Sequence, residues 1–378
     1  TYMQIVERYD HSLRIPRPDL TASIGTRNAC NDCHKSESPK WAADWVQEWT
    51  GSDLQKHYGQ TLHAGRRGAA HAVTDLKSLV LEMDQPGIVR VTAMNLLNDY
   101  PGQSRALLEL REDPNPVVRA AALEQLAGLS EQELRVMVVP MLEDPARLVR
   151  LAAVRALAGS VGQSLMQAND AKYAAAFEEL QQAYLANADM PSACLKHAIF
   201  LAQSGDTAQA VEVYGRVLEL DPKFLPAVFN LANLLSLLDQ TDRAQAILQS
   251  AIEQNPAEGE LYYSLGLLLA QQNDAIGSAN ALRMAAQFMP TRSRVHYNLG
   301  LAAQGIGEIE EAEAALLRAA ELDPDSPDYA YALATFYLGQ NRFELSLDFA
   351  RKLEALLPAD SGVQQFQAEI LRRQASAR

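Results

Sequence analysis

The chain is poor in cysteine and in positive charge, has only three tryptophans, and contains no long apolar run. Three cysteines among 378 residues exclude a disulfide framework: Cys30 and Cys33 sit together, and Cys194 stands alone as a small core residue. Without a stretch of about 20 apolar residues, no transmembrane helix is predicted. Basic residues number 33 against 47 acidic ones, a net charge of −14. The first 75 residues hold nine of each sign, so the whole excess lies downstream. Such an acidic surface lacks the basic stripes that nucleic acid requires as a partner. No paired carboxylates, glycine-rich phosphate loop or nucleophile–base set stands out, so the chain does not read as an enzyme. It begins at Thr1 rather than Met, which reads as a processed or excised form.

What carries chemistry is the stretch Asn28-Ala29-Cys30-Asn31-Asp32-Cys33-His34-Lys35. Cys30, Cys33 and His34 form Cys-x-x-Cys-His, the attachment motif of a c-type haem. Thiols three residues apart on a helical turn suit the two vinyl groups of one porphyrin, and the next histidine then falls under the iron as proximal ligand. Two other readings stay open from spacing alone. One is a Cys₂His₂ zinc site from Cys30, Cys33, His57 and His63, which leaves His34 without a role. The other is a plain structural or redox thiol pair.

The surroundings of the motif supply further candidates. Ser38-Pro39 predicts a helix start, and Trp41, Trp45 and Trp49 follow at i, i+4 and i+8 on one face, as core packing or as the apolar wall of a haem. A second helical stretch is predicted from Gln55 to Arg66. His57, His63 and His11 are candidate distal ligands, with His71 behind them; Met3, Met83 and Met94 sit in no telling context. Upstream, the prolines around His11-Ser-Leu-Arg-Ile-Pro16-Arg-Pro18-Asp-Leu predict an extended segment rather than an element.

Beyond residue 75 the sequence repeats itself. Ile88-Val89-Arg90, Val117-Val118-Arg119 and Leu148-Val149-Arg150 recur at steps of about 30 residues, the last two each preceded by Asp-Pro, a pattern that resembles HEAT repeats. Residues 165–187 read as one long helix with Phe177, Leu180, Ala183 and Tyr184 on its buried side. Then Pro222, Pro256, Pro290, Pro324 and Pro358 recur strictly, with small residues at Ala210, Ala244, Ser278, Ala312 and Ser346 for close helix contact. This period of about 34 residues marks tetratricopeptide (TPR) repeats. Phe229, Tyr263, Tyr297 and Tyr331 share one repeat position and are candidates to line a groove for an extended peptide or a partner's helix.

The fold class is therefore all-α, an α-solenoid of HEAT-like then TPR repeats behind a small, mostly irregular N-terminal segment. The expected parts are a haem-binding segment at 1–75, HEAT-like repeats at 76–163, a bridging helix at 164–190, five TPR repeats at 191–360 and a capping helix at 361–378.

The run from His11 to Leu20, the motif at 28–35 and Trp41-Ala-Ala-Asp-Trp45 together resemble the last haem-binding segment of bacterial multihaem c-type cytochromes that continue into a TPR tail. The resemblance covers the whole order of parts, with its sharpest residues between about 11 and 63. It implies one covalent haem c, electron transfer to other haem-bearing segments or subunits, and maturation outside the cytoplasm, in the periplasm or at the cell surface. The family carries further Cys-x-x-Cys-His motifs upstream, and this chain has none. It therefore resembles the C-terminal part of such a protein or a one-haem relative, with assembly into homo-oligomers as a further expectation.

Overall fold

The computed structural model describes residues 17–51, 57–100, 107–125 and 129–377, and among them every regular element is helical. The chain divides into two compact units at Leu180 and Gln181.

The first unit opens with α1 (Pro18–Ile24), α2 (Ala29–Cys33), α3 (Pro39–Thr50) and α4 (Tyr58–Arg66). The extended segment expected through Leu20 is thus helical from Pro18. Proline at the first helical position lacks only an N–H that would be orphaned anyway, and Gly25 ends the helix in the left-handed region. α1 lies against α3, and their buried side chains are Pro18, Leu20, Ala42 and Val46. The second predicted helix begins at Tyr58 rather than Gln55. His57 stands before it in extended conformation, its Nδ1 accepting the Gly59 N–H at 3.0 Å, so it caps the helix instead of lying inside it. His11, Met3 and Gln55 lie outside the described residues.

α5 (Ala72–Leu81) and α6 (Gly87–Leu97) pack into one core that also takes Leu62 from α4, so apolar packing is continuous across residue 75. After a 3₁₀ turn at Leu108–Glu112 come α7 (Pro116–Ala122) and α8 (Glu131–Met137). A second 3₁₀ turn at Val139–Glu143 leads to α9 (Arg147–Ala156). An arginine ladder ties these repeats together. Arg90 is 2% exposed, donates Nε to the Val80 carbonyl at 2.7 Å and pairs with Asp113. Arg119 grips both oxygens of Asp144 at 2.9 Å and the Asp113 carbonyl at 2.8 Å. Arg150 repeats this on Glu179 and the Asp144 carbonyl. Each Asp-Pro turn thus offers its carbonyl to its own arginine and its carboxylate to the preceding one.

The single helix expected over 165–187 is two. α10 (Ser160–Gln167) ends before Asn169, which is left-handed at φ 53°, and α11 (Ala171–Leu185) restarts where the Asp170 side chain accepts the N–H groups of Lys172 and Tyr173. The unit boundary falls inside α11. Of its expected buried face Leu180 is buried, whereas Phe177, Ala183 and Tyr184 are half-buried; Tyr173 and Ala176 complete the buried stripe.

The second unit is five antiparallel helix pairs and a terminal helix. They are α12 (Pro191–Gln203) with α13 (Thr207–Leu220), α14 (Leu225–Leu237) with α15 (Thr241–Gln254), and α16 (Gly259–Gln271) with α17 (Ala275–Phe288). α18 (Ser293–Gly305) with α19 (Ile309–Leu322) and α20 (Pro327–Gly339) with α21 (Phe343–Leu356) follow, and α22 (Ser361–Ser376) closes the array. Inside every pair the turn uses one left-handed residue: Gly205, Asp239, Asn273, Gly307 and Asn341. Glycine, asparagine and aspartate are the residues that tolerate that conformation. The recurring small residues, Ala210, Ala244, Ser278, Ala312 and Ser346, are at most 1% exposed and let paired helices approach closely.

Candidate functional site

The cysteine motif forms its own short helix because its ends are tied. The Asn28 side chain accepts the Asn31 N–H at 3.1 Å as N-cap and donates to Thr21 Oγ1 at 2.7 Å. Asn31 donates onward to the Glu37 carbonyl at 2.8 Å, and the His34 N–H closes on Cys30 O at 2.8 Å. Cys30 and Cys33 are free thiols one turn apart, the first half-buried and the second exposed, with His34 directly behind them.

Facing this loop is α3, started by the Ser38 hydroxyl that caps the Trp41 N–H. Its buried stripe is Ala42 and Val46, so the tryptophans stand beside the core rather than in it. Trp45 is 39% exposed and Trp49 72%, two large apolar groups that a closed core would not leave in water. Loop and tryptophans together wall one open, mainly apolar cleft of about 290 Å³, lined by Cys30, Cys33, His34, Trp41, Trp45 and Trp49. Six residues singled out by spacing alone therefore meet in one place. His34 packs against Trp41, ring centroids 5.1 Å apart, and Trp45 against Trp49 at 5.9 Å.

The remaining candidates lie elsewhere. His57 does not line the cleft; its ring lies against Tyr58, centroids 4.1 Å apart and planes tilted by 32°. Burial, then the Arg17 charge, push its pKa below the ordinary value, with Asp19 opposing. A neutral ring that accepts at Nδ1 carries its proton on Nε2, so ligating iron through Nε2 would cost His57 its cap. His63 is half-buried on α4 and His71 exposed at the start of α5, and neither lines the cleft. Met94 is buried in the repeat core, and Met83 is exposed beyond α5. Among the described residues no three His, Cys, Asp or Glu side chains are grouped to hold a metal ion, so the Cys30, Cys33, His57 and His63 set is not assembled. A c-type haem asks less of the chain: two reachable thiols, an adjacent imidazole and an apolar wall, all of which the cleft has.

On the TPR array the aromatic ladder is partly occupied by internal contacts. Tyr263 Oη accepts from Asn298 at 2.8 Å with Arg292 over its ring; Tyr297 lies under Arg294 and beside Tyr329. Phe229 is half-buried at a small pocket, and Tyr331, the most open of the four, packs one edge on Phe366. Cys194 is buried, its thiol donating to the Ala188 carbonyl at 3.3 Å, and burial pushes its pKa up.

Models of tetratricopeptide repeats match residues 201–267 and 297–361, and a model of HEAT repeats matches 104–190. The HEAT match takes in the second and third expected units together with α10 and α11. Among solved structures, the chain is similar to YrrB, a TPR protein with an unusual peptide-binding site, at 19% identity and TM-score 0.41, over 49% of this chain and 95% of that one. It is similar to MamA at 19% identity and TM-score 0.40, over 44% and 91%. A MamA from Desulfovibrio magneticus RS-1 gives 17% identity and TM-score 0.41, over 45% and 97%. No curated protein matches. The chain is an α-solenoid that carries HEAT and TPR repeats.

Proposed function

We propose that this chain is a c-type cytochrome module, carrying one covalent haem in the cleft of Cys30, Cys33 and His34 and mounted on a HEAT and TPR scaffold. The observation that supports it is that single cleft, in which both thiols and the imidazole face the only three tryptophans of the chain. Cys30 and Cys33 would hold the group by adding their thiols to its vinyl groups, and His34 would supply an imidazole to its iron. When bound, haem supplies a one-electron couple whose potential depends on axial ligation, polarity and exposure. The chain's own part is mechanical and dielectric. Asn28 and Asn31 fix the loop, while Trp41 and Trp45 exclude water from one side of the cleft. The open rim at Trp49 is where an electron partner gains access.

On this reading the module relays electrons and scaffolds assembly rather than catalysing a reaction of its own. Its donors and acceptors are other haem-bearing segments or subunits, further copies of this chain among them. Covalent haem attachment in the bacterial family it resembles takes place outside the cytoplasm, so the module works there. Among the described residues no helix is long and apolar enough to cross a membrane. The test is haem staining after denaturing electrophoresis of protein made with the haem-attachment machinery. The wild-type band stains and a Cys30→Ala/Cys33→Ala band does not. An unstained wild-type band overturns the reading.

A companion reading concerns the TPR array, whose first helices leave Leu267 and Leu301 exposed at equivalent repeat positions and Tyr331 exposed on a further first helix. Apolar side chains repeated on one face of a solenoid are a docking surface for a protein segment. Should the cysteine site hold no haem, this surface remains as the function of an adaptor.

A further inference from the structure

Two pockets on the first-helix face of the TPR array are the same pocket, one repeat apart. The first, about 200 Å³, lies between α14, α15 and α16 and is lined by Phe229, Ser236, Leu248, Leu267 and Gln271. The second, about 350 Å³, lies between α16, α17 and α18 and is lined by Leu267, Ser278, Leu282, Asn298 and Leu301. Leu248 and Leu282 hold equivalent positions, as do Leu267 and Leu301, and Leu267 is a wall of both. Its side chain and that of Leu301 are 39% and 41% exposed, so the pockets open side by side onto solvent.

The second pocket also has an unsatisfied polar atom. Ser278 is 1% exposed and its Oγ has no hydrogen-bond partner, although buried hydroxyls nearly always find one. At the pocket wall Asn298 donates its amide to Tyr263, which leaves its carbonyl oxygen open. Gln271, whose amide oxygen accepts from Ser236 Oγ at 3.0 Å, leaves its amide N–H groups for the first pocket.

We infer that this pair of pockets takes two apolar side chains, three residues apart, from one extended basic segment of a partner protein. The inference rests on the docking surface proposed above. First helices of neighbouring repeats pack directly on each other in α14 and α16, which spaces equivalent pockets by about 10 Å. A polyproline-II segment, the extended form with three residues per turn, rises about 3.1 Å per residue, so side chains at i and i+3 share one face about 9 Å apart and reach both pockets. A helix spans the same distance with i and i+7, but its backbone groups are already paired and leave the Asn298 and Gln271 amides unused. The larger pocket, with the Ser278 hydroxyl inside it, suits a tyrosine, and the smaller one suits a leucine. Charge decides the rest of the segment: residues 181–378 hold 24 acidic and 14 basic residues, net −10, and the arginines beside the second pocket's lining residues are engaged, Arg283 by Glu308 and Glu311, Arg292 by Glu260 and Arg294 by Asp328. A lysine-rich segment is drawn to this unit and an acidic one repelled.

The test is fluorescence anisotropy of the full chain with labelled lysine-rich peptides that carry Leu and Tyr, in either order, at separations of two, three, four and seven. Separation three binds tightest, by about tenfold or more, a difference of 1.4 kcal/mol. Leu267→Asp removes that preference, whereas Leu148→Asp, exposed on the HEAT unit, leaves it intact. Binding that ignores separation, or that survives Leu267→Asp, overturns the two-pocket inference while the docking surface stands. Absence of binding by every peptide overturns both.

Discussion

The His34 imidazole lies against Trp41, ring centroids 5.1 Å apart and planes inclined by 52°. That contact joins the cysteine loop to the tryptophan face of α3 at the wall of the cleft. Trp41, Trp45 and Trp49 are the only tryptophans in the chain, so its indole emission comes entirely from this site. Haem absorbs where indole emits. Emission from the haem-loaded protein is therefore expected to be severalfold weaker than from Cys30→Ala/Cys33→Ala. Equal emission from the two would mean that no haem sits in this cleft.

The arginine ladder makes a separate prediction about stability. Arg90 and Asp113 are both almost fully buried, so removing one partner strands the other's charge away from water. Arg90→Met is expected to cost about 3–5 kcal/mol, while Arg90→Met/Asp113→Leu recovers much of it, because well-packed apolar pairs replace buried ion pairs at little cost. Urea unfolding followed by circular dichroism measures both.

Acid should loosen the same repeats. Burial alone raises the carboxyl pKa of Asp113 and Asp144, but hydrogen bonds from Arg90, Arg119 and the backbone N–H groups of Asn115 and Ala146 outweigh it and hold both low. Hydrogen bonds from Arg150 hold Glu179 low as well. Carboxyls depressed in the folded state stabilise it fully above their unfolded values, near 4, and lose that contribution as pH falls through the folded ones. The HEAT transition is thus expected to be flat from about pH 7 to 5 and to fall steeply below about 4. Asp113→Asn should reduce the slope, as read by melting temperature against pH.

Two glycines should respond in opposite senses to alanine. A Cβ on Gly300 would stand 2.6 Å from Leu316 Cγ, with the Ala312 carbonyl 3.2 Å away, so Gly300→Ala is expected to destabilise by about 1–3 kcal/mol. Gly215, inside α13, has nothing within 4 Å of that position, and Gly215→Ala should stabilise by about 0.5–1 kcal/mol. Thermal unfolding separates the two signs.

Much of the solenoid is legible in the sequence because its constraints are local and periodic. The recurring prolines and small residues fall where helix pairs must turn and touch, and the left-handed Gly, Asp or Asn in each turn follows the same period. What local pattern does not carry is the partner. The Val-Arg recurrence is plain, yet the carboxylate that each arginine grips lies 23 to 29 residues on. The i, i+4 spacing puts three tryptophans on one face but does not say that Ala42 and Val46 fill the core instead. The break at Asn169 depends on one left-handed residue and the helix at Pro18 on proline at its first position and Gly25 at its end, local signals that an apolar period overlooks. Within the candidate site, adjacency in sequence found Cys30, Cys33 and His34. It could not foresee that His57 spends Nδ1 on its own helix start.

The most direct test of the central claim is the visible spectrum of purified protein, oxidised and dithionite-reduced, before and after acid–organic extraction. The account predicts a reduced c-type spectrum whose colour stays with the protein through extraction and disappears in Cys30→Ala/Cys33→Ala. A colourless wild-type protein, made in cells that attach haem to other c-type cytochromes, would contradict it.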